Sequence, residues 1–210
     1  MALSNYNPLA PFAGIATNFG GLRDLINYQV AKARGATEKQ ALTEGDPGIG
    51  APRLGNVNTQ TAYGVALPEE RLRSALGDDP ANWRTARAQI TVGDQSVAVP
   101  IVDVGPGKKP QAKGVVVDLS DPLAKGLGDV DWSKSNVQIL PNAGPDYTTD
   151  RTAWDNEQAA IGKSFPQGGT IGAEPNPVPL QTPTQSILSL LGYDEDQKQP
   201  PNILQAIRSL

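Results

Sequence analysis

Alternating apolar and polar residues mark the middle of the chain as strand-rich. In Ala88-Gln89-Ile90-Thr91-Val92, the alanine, isoleucine and valine share one face, and Gln89 and Thr91 share the other. Gly93-Asp94 then predicts a hairpin turn that returns the chain through a strand over 97–102. Val115-Val116-Val117 lacks alternation, which suits a strand buried on both sides or crossing a barrel interior. A short apolar run, Val65-Ala66-Leu67, precedes it, and Trp132 with Val137-Gln138-Ile139-Leu140 supplies a closing strand. Helical spacing is confined to short pieces. Leu22, Leu25, Ile26 and Val30 predict a helix over about 21–34 with Gly35 as its stop, and a second short helix is expected over 69–76. Asp121-Pro122 reads as a helix start, with Asp as N-cap and Pro at the first helical position, ended by Gly126 or Gly128.

The two ends differ from this middle. Residues 1–18 carry two prolines and no helical period, and 44–55 is a Gly/Pro loop leading into the strand-rich region. Residues 141–185 are rich in Pro, Gly and polar side chains and bury too little apolar surface to offset chain entropy on their own. The last residues return to short apolar clusters, Ile187 to Leu191 and Ile203 to Leu210. Each is too short to form a stable helix alone, so each is expected to dock on something. The expected organisation is an N-terminal arm over 1–45, a β domain over 46–141 and an extended C-terminal arm over 142–210.

Two carboxylates stand out against this frame. The run Val99-Pro100-Ile101-Val102-Asp103-Val104 delivers Asp103 into the turn Gly105-Pro106-Gly107. Val115-Val116-Val117-Asp118-Leu119-Ser120 delivers Asp118 just before the third helix. A strand end feeding a tight turn can hold an acid at an open surface, and it can equally use that acid to accept its own backbone N–H groups.

Composition narrows the chemistry. The chain of 210 residues contains no Cys and no His, which excludes disulfides, thiol nucleophiles, Ser-His-Asp systems and most transition-metal sites. Acid–base work near neutral pH must fall to carboxylates, Lys or Tyr, and no metal or cofactor is expected. A net charge of −4 argues against a nucleic-acid-binding surface. No segment reaches the apolar length of a membrane span, and the first residues lack the order of a secretory signal, so synthesis in the cytoplasm is expected. With 22 Gly and 19 Pro, the chain suits one modest core carrying long arms.

The linked motifs Val102-Asp103-Val104-Gly105-Pro106 and Val117-Asp118-Leu119-Ser120, followed by the helix ending Leu127-Gly128, resemble the domain of rare lipoprotein A proteins. That family reads roughly Ile-Asp-Arg-Gly-Pro, a short basic loop, Ile-Asp-Leu-Ser and an Ala-rich helix, and its relatives include expansins and barwin-like endoglucanases. The resemblance covers about residues 46–141. It implies a mainly β fold, a six-stranded double-psi β-barrel with short helices, here flanked by the two arms. It also implies lytic transglycosylase chemistry on peptidoglycan, in which a single carboxyl first protonates the leaving oxygen and then accepts the proton of the sugar's own C6 hydroxyl.

Asp103 matches the family's acid position, and Val102 and Val104 would favour its protonated form by shielding it. Asp118 is expected mainly to support the loop that holds Asp103. Lys108, Lys109 and Lys113 are candidate substrate contacts, although a solvated loop accounts for them equally well. The chain departs from the family pattern at two points: Val104 replaces a basic residue, and no acid lies between Arg53 and Pro68, leaving Glu44 and Asp46 as the nearby candidates.

Two functional expectations follow. One is a peptidoglycan-processing module carried by a larger assembly, such as a phage virion or tail, whose other subunits hold both arms. The other is a catalytically inactive adaptor in that assembly, with the barrel as scaffold. A wall-loosening module like the expansins fits less well, because those proteins are typically disulfide-bonded and rich in surface aromatics. This chain has only three tryptophans, at 83, 132 and 154.

Overall fold

Six strands close on themselves in the computed structural model, which describes residue 7, residues 9–128 and residues 131–165. They are β1 (Phe12–Phe19), β2 (Val65–Leu67), β3 (Arg87–Val92), β4 (Gln95–Val104), β5 (Val115–Ser120) and β6 (Ser135–Leu140), arranged β1-β5-β2-β4-β3-β6 around the barrel. β1 with β5 and β2 with β4 are parallel, and the remaining neighbours are antiparallel. Exchanging β1 with β4, β2 with β5 and β3 with β6 maps this pairing onto itself. Two interlocked three-strand halves of this kind make a double-psi β-barrel.

Inward-facing side chains fill the barrel. Val65 and Leu67, Ile90 and Val92, Val97 to Ile101 by alternate residues, Val117 and Leu119, and Val137 and Ile139 form one buried cluster. Each such aliphatic side chain contributes on the order of 2 kcal/mol when removed from water. The hairpin turn at Gly93-Asp94 is as the alternation predicts, since Val92 faces Gln95 across it.

Seven helices decorate the barrel among the described residues: α1 (Leu22–Ala33), α2 (Glu38–Glu44), α3 (Glu69–Leu76), α4 (Pro80–Thr85), α5 (Lys108–Gln111), α6 (Asp121–Leu127) and α7 (Arg151–Ser164). α2 begins in a reciprocal cap, with the Thr37 hydroxyl accepting from the Gln40 N–H and the Gln40 side chain accepting from the Thr37 N–H. Ser120, rather than Asp121, occupies the N-cap of α6, and Asp121 instead receives Lys125 Nζ one turn on at 2.6 Å.

Two expectations about the arms need correction. The first barrel strand, Phe12–Phe19, lies inside the segment expected as an N-terminal arm. It pairs with β5 and β6, and because only Ala16 and Phe19 of its eight residues are buried, its sequence carries little of the alternation that marks a half-solvated strand. Likewise, α7 lies inside the segment expected to be extended, yet its Ile161 and the following Phe165 join the main core, and Trp154 joins a second cluster. The apolar stretches 187–191 and 203–210 lie outside the described residues. No helix among the described residues is long and apolar enough to cross a membrane.

α7 is fastened by polar groups. Arg87 is 2% exposed, and its guanidinium makes a two-pronged contact with Glu157, at 2.5 and 2.7 Å. The same group donates to the carbonyls of Arg84, Ala86 and Pro145. Gly144 lies directly against it, where a Cβ would occupy the space of the guanidinium. The next residue of α7, Gln158, accepts from the Tyr63 N–H at 2.6 Å and donates to the Tyr63 carbonyl at 3.1 Å, which fixes the approach to β2. Replacing Glu157 with Ala leaves a buried cation without its partner. The expected cost is about 2–3 kcal/mol in urea unfolding, less than for a wholly buried pair because Glu157 keeps 21% side-chain exposure.

Candidate functional site

Strict alternation along β4 would put Asp103 inside the barrel, because Val97, Val99 and Ile101 all point there. It does not go there. Val65 faces Ile101, but the next residue of β2, Ala66, faces Asp103, so Val102 is an extra residue in β4. A one-residue insertion of this kind reverses the face of everything after it. Asp103 turns outward, and Val104 takes the inward position opposite Leu67 and packs on the core.

The outward turn places Asp103 in a row of facing residues across four neighbouring strands. Ala66 faces Asp103 on one side and Asp118 on the other, and Asp118 faces Thr17 of β1. The two acids therefore sit two strands apart, about 10 Å at the backbone, with only a methyl group between them. Thr17 Oγ1 donates to Asp118 Oδ1. The Gly105-Pro106-Gly107 turn folds close by, and a Cβ on Gly105 would stand 3.2 Å from Asp118 Oδ2 and 3.4 Å from the Ala66 methyl.

A third acid arrives from the segment after α2. Asp46 accepts from the Gly48 N–H at 2.6 Å, and the segment runs on to Ala51, whose N–H donates to the Asp103 carboxylate. Asp103 also accepts from the Val104 N–H at 2.7 Å. Gly50 makes the approach possible, since a Cβ there would run into the Val102 carbonyl oxygen. An antiparallel bridge between Ile49 and Asn58, with the Gly50 N–H donating to Val57 at 2.8 Å, holds the segment against its own return.

Burial dominates the electrostatics. Removal from water, reinforced by the charges of Asp46 and Asp118 and opposed by the N–H groups of Val104 and Ala51, raises the Asp103 pKa from the ordinary 3.8 to about 6. Burial and Asp46 also push Asp118 upward, against the hydrogen bond from Thr17. Asp46 is raised by burial and by Asp24. Among the described residues no group of three acids is placed to hold a metal ion. The arrangement can hold and release a proton near neutral pH at a half-buried position.

The site brings together Asp103 and Asp118, both read from sequence. Of the two upstream acids, Asp46 belongs to the site, whereas Glu44 pairs with Arg34. Thr17 was missed, since nothing local marks a threonine in a strand as a partner for an acid 101 residues away. Val116 is not buried on both sides: it is half-exposed between buried Val115 and Val117. Lys108, Lys109 and Lys113 stand on the exposed segment after the Gly-Pro-Gly turn and do not enter the acid row. Trp83 and Trp154 are buried in the cores and Trp132 is partly buried against one, as core anchors and not as a sugar platform.

No family model matches the chain, and no curated protein matches it. Among solved structures, the Streptomyces papain inhibitor is similar at 16% identity and a TM-score of 0.37, over 62% of this chain and 94% of that one. The barrel assignment rests on the strand pairing itself.

Asp103 makes the fold pH-sensitive with a definite sign. Its pKa is higher in the folded chain than in the unfolded one, so between pH 3.8 and about 6 the folded state retains a proton that the unfolded state has lost. This contribution to stability is full below that window and is lost as pH rises through it. Asp103→Asn is therefore expected to stabilise the protein by about 1–2 kcal/mol at pH 8, after allowance for solvent screening, and to have no stabilising effect at pH 3.5. Urea unfolding at the two pH values checks it. Gly50→Ala is expected to cost about 2 kcal/mol by the same measurement, and to lower the Asp103 pKa as the segment bearing Asp46 moves away.

Proposed function

We propose that this barrel is a peptidoglycan-processing module that cleaves glycan strands as a lytic transglycosylase, with Asp103 as the single acid and base. The observation that carries this reading is the outward turn of Asp103 into a row with Asp118 and beside Asp46, where it keeps its proton to about pH 6. Protonated Asp103 donates to the glycosidic oxygen as the bond from C1 of N-acetylmuramic acid breaks. Its carboxylate then takes the proton of that sugar's C6 hydroxyl as O6 attacks C1 and closes the anhydro ring. Protons balance and no water is consumed. The negative charge of Asp118 and Asp46 favours the positive charge that develops on the sugar ring.

The same reading makes the chain a subunit of an envelope-directed assembly such as a phage virion or tail. The Pro/Gly-rich stretch after Phe165 and the short apolar clusters beyond it support this, since such clusters need a partner surface to become stable helices. Deleting residues 186–210 is expected to abolish incorporation into that assembly, and incorporation at the normal level would remove this part of the reading.

Zymography on purified peptidoglycan, with mass spectrometry of the released fragments, tests the chemistry. Wild type is expected to release anhydro-ended products, and Asp103→Asn to lose at least 100-fold in rate, on the order of a lost general acid. Because the acid must start protonated, kcat/KM is expected to fall as pH rises through about 6. Clearing by neither protein would leave the barrel as an inactive adaptor, a reading favoured by Val104 in place of a basic residue and by the absence of a sugar-stacking platform among the described residues.

A further inference from the structure

The extra residue Val102 interrupts the ladder of β4, and three groups from other parts of the chain are fitted to the interruption. β3 begins at Arg87, opposite Pro100, so from Ile101 onward β4 has a strand neighbour on one side only, β2. An inserted residue leaves backbone groups without ladder partners, and a buried peptide group in that state must find its partner elsewhere. Ile101 and Val102 are both fully buried. The Val102 carbonyl lies against Gly50 of the segment after α2. The Val102 side chain lies against Gly64, where a Cβ would stand 2.7 Å from both of its methyl groups. The Ile101 carbonyl accepts from the Tyr147 hydroxyl at 2.8 Å.

Tyr147 is held firmly enough to act as a pin. It is 6% exposed, and its ring packs on Trp154 with centroids 4.9 Å apart, in the cluster that also contains Val102, Ala66 and Phe19. The residue before it is locked in place. Asp146 receives Arg84 Nε at 2.9 Å and accepts from the Thr148 N–H at 2.9 Å and the Thr148 hydroxyl at 2.6 Å. Burial pushes the Tyr147 phenol up from its ordinary range, so the hydroxyl keeps its proton at every pH where Asp103 titrates.

Resting on the reading of Asp103 as the acid and base, we infer that Tyr147 is a positioning residue for it: the phenol hydroxyl occupies the Ile101 carbonyl, pins the break at Val102, and so holds Asp103 outward and dry two residues further on. It acts through the backbone of β4 and not on the sugar. The consequence is specific. Without the hydroxyl, the Ile101 carbonyl is buried and unpaired, and a water molecule enters to serve it. Burial is the largest cause of the raised Asp103 pKa, ahead of the charges of Asp46 and Asp118, so water at this point weakens the acid's hold on its proton. A residue that only stabilises the barrel has no such effect.

The test uses the full chain carrying Tyr147→Phe, which removes the hydroxyl and keeps the ring. Carboxylate carbon NMR reads the Asp103 titration directly, with Asp103→Asn identifying its signal. The Asp103 pKa is expected to fall from about 6 to roughly 5. Ile161→Val on α7 loosens the main core and leaves the Ile101 carbonyl paired. It is expected to lower the urea midpoint by a similar amount and to leave the Asp103 titration in place. In cleavage assays, kcat/KM of Tyr147→Phe is expected to fall about tenfold at pH 7, as the protonated fraction of Asp103 does, and to be unchanged at pH 4.

An Asp103 titration unmoved in Tyr147→Phe, or one moved equally by Ile161→Val, would overturn the inference. The NMR titration needs no turnover, which separates this result from the catalytic reading. If wild type leaves peptidoglycan intact, the catalytic reading fails, and a lowered Asp103 pKa in Tyr147→Phe still establishes the hydroxyl as the group that holds the acid. Cleavage together with an unmoved titration removes the role of Tyr147 alone.

Discussion

The site depends on one extra residue. Val102 breaks the pairing of β4 with β2, and everything chemically interesting follows from the half-turn it imposes. With strict pairing, Asp103 would face Leu67 inside an apolar barrel, where an ionised carboxylate could not be kept without a partner. The insertion exchanges it with Val104, so the core gains a valine and the surface gains an acid. Ala66 completes the arrangement, because its small, buried side chain lets the Gly105 turn close over the strand between the two acids.

Much of the barrel was legible in the sequence. β3 and the start of β4 alternate cleanly because one face is buried and the other is wet, and the turn between them carries its own signal at Gly93. β1 was not legible, since only Ala16 and Phe19 of its eight residues are buried, too few to set a period. α7 was hidden by a single residue. Its inward stripe runs Trp154, Gln158, Ile161 and Phe165, and the glutamine in the middle breaks the apolar period while satisfying the Tyr63 backbone. Polar residues that serve a buried peptide group read as surface residues until the peptide is seen.

The candidate site was legible in part for a similar reason. Asp103 and Asp118 announce themselves by standing at the ends of β-rich runs. Asp46 does not, because its place beside Asp103 is set by a backbone contact between Gly50 and Val102, and such contacts leave only a glycine as their trace. The direction in which Asp103 points was also not legible: a register break is a property of two strands, and neither strand shows it alone.

The segment from Asp46 to Ala51 acts on Asp103 in two opposing ways, through a like charge that holds the proton on and a backbone donor that draws it off. Both ride on the same short stretch of chain. If that stretch lifts, the two influences leave together, and the acid is left mainly with the water that enters. Its strength is then governed by hydration rather than by either neighbour. Proton affinity and access to solvent become a single coordinate, so a molecule that presses the segment down on arrival would raise the acid's hold on its proton at the moment of contact.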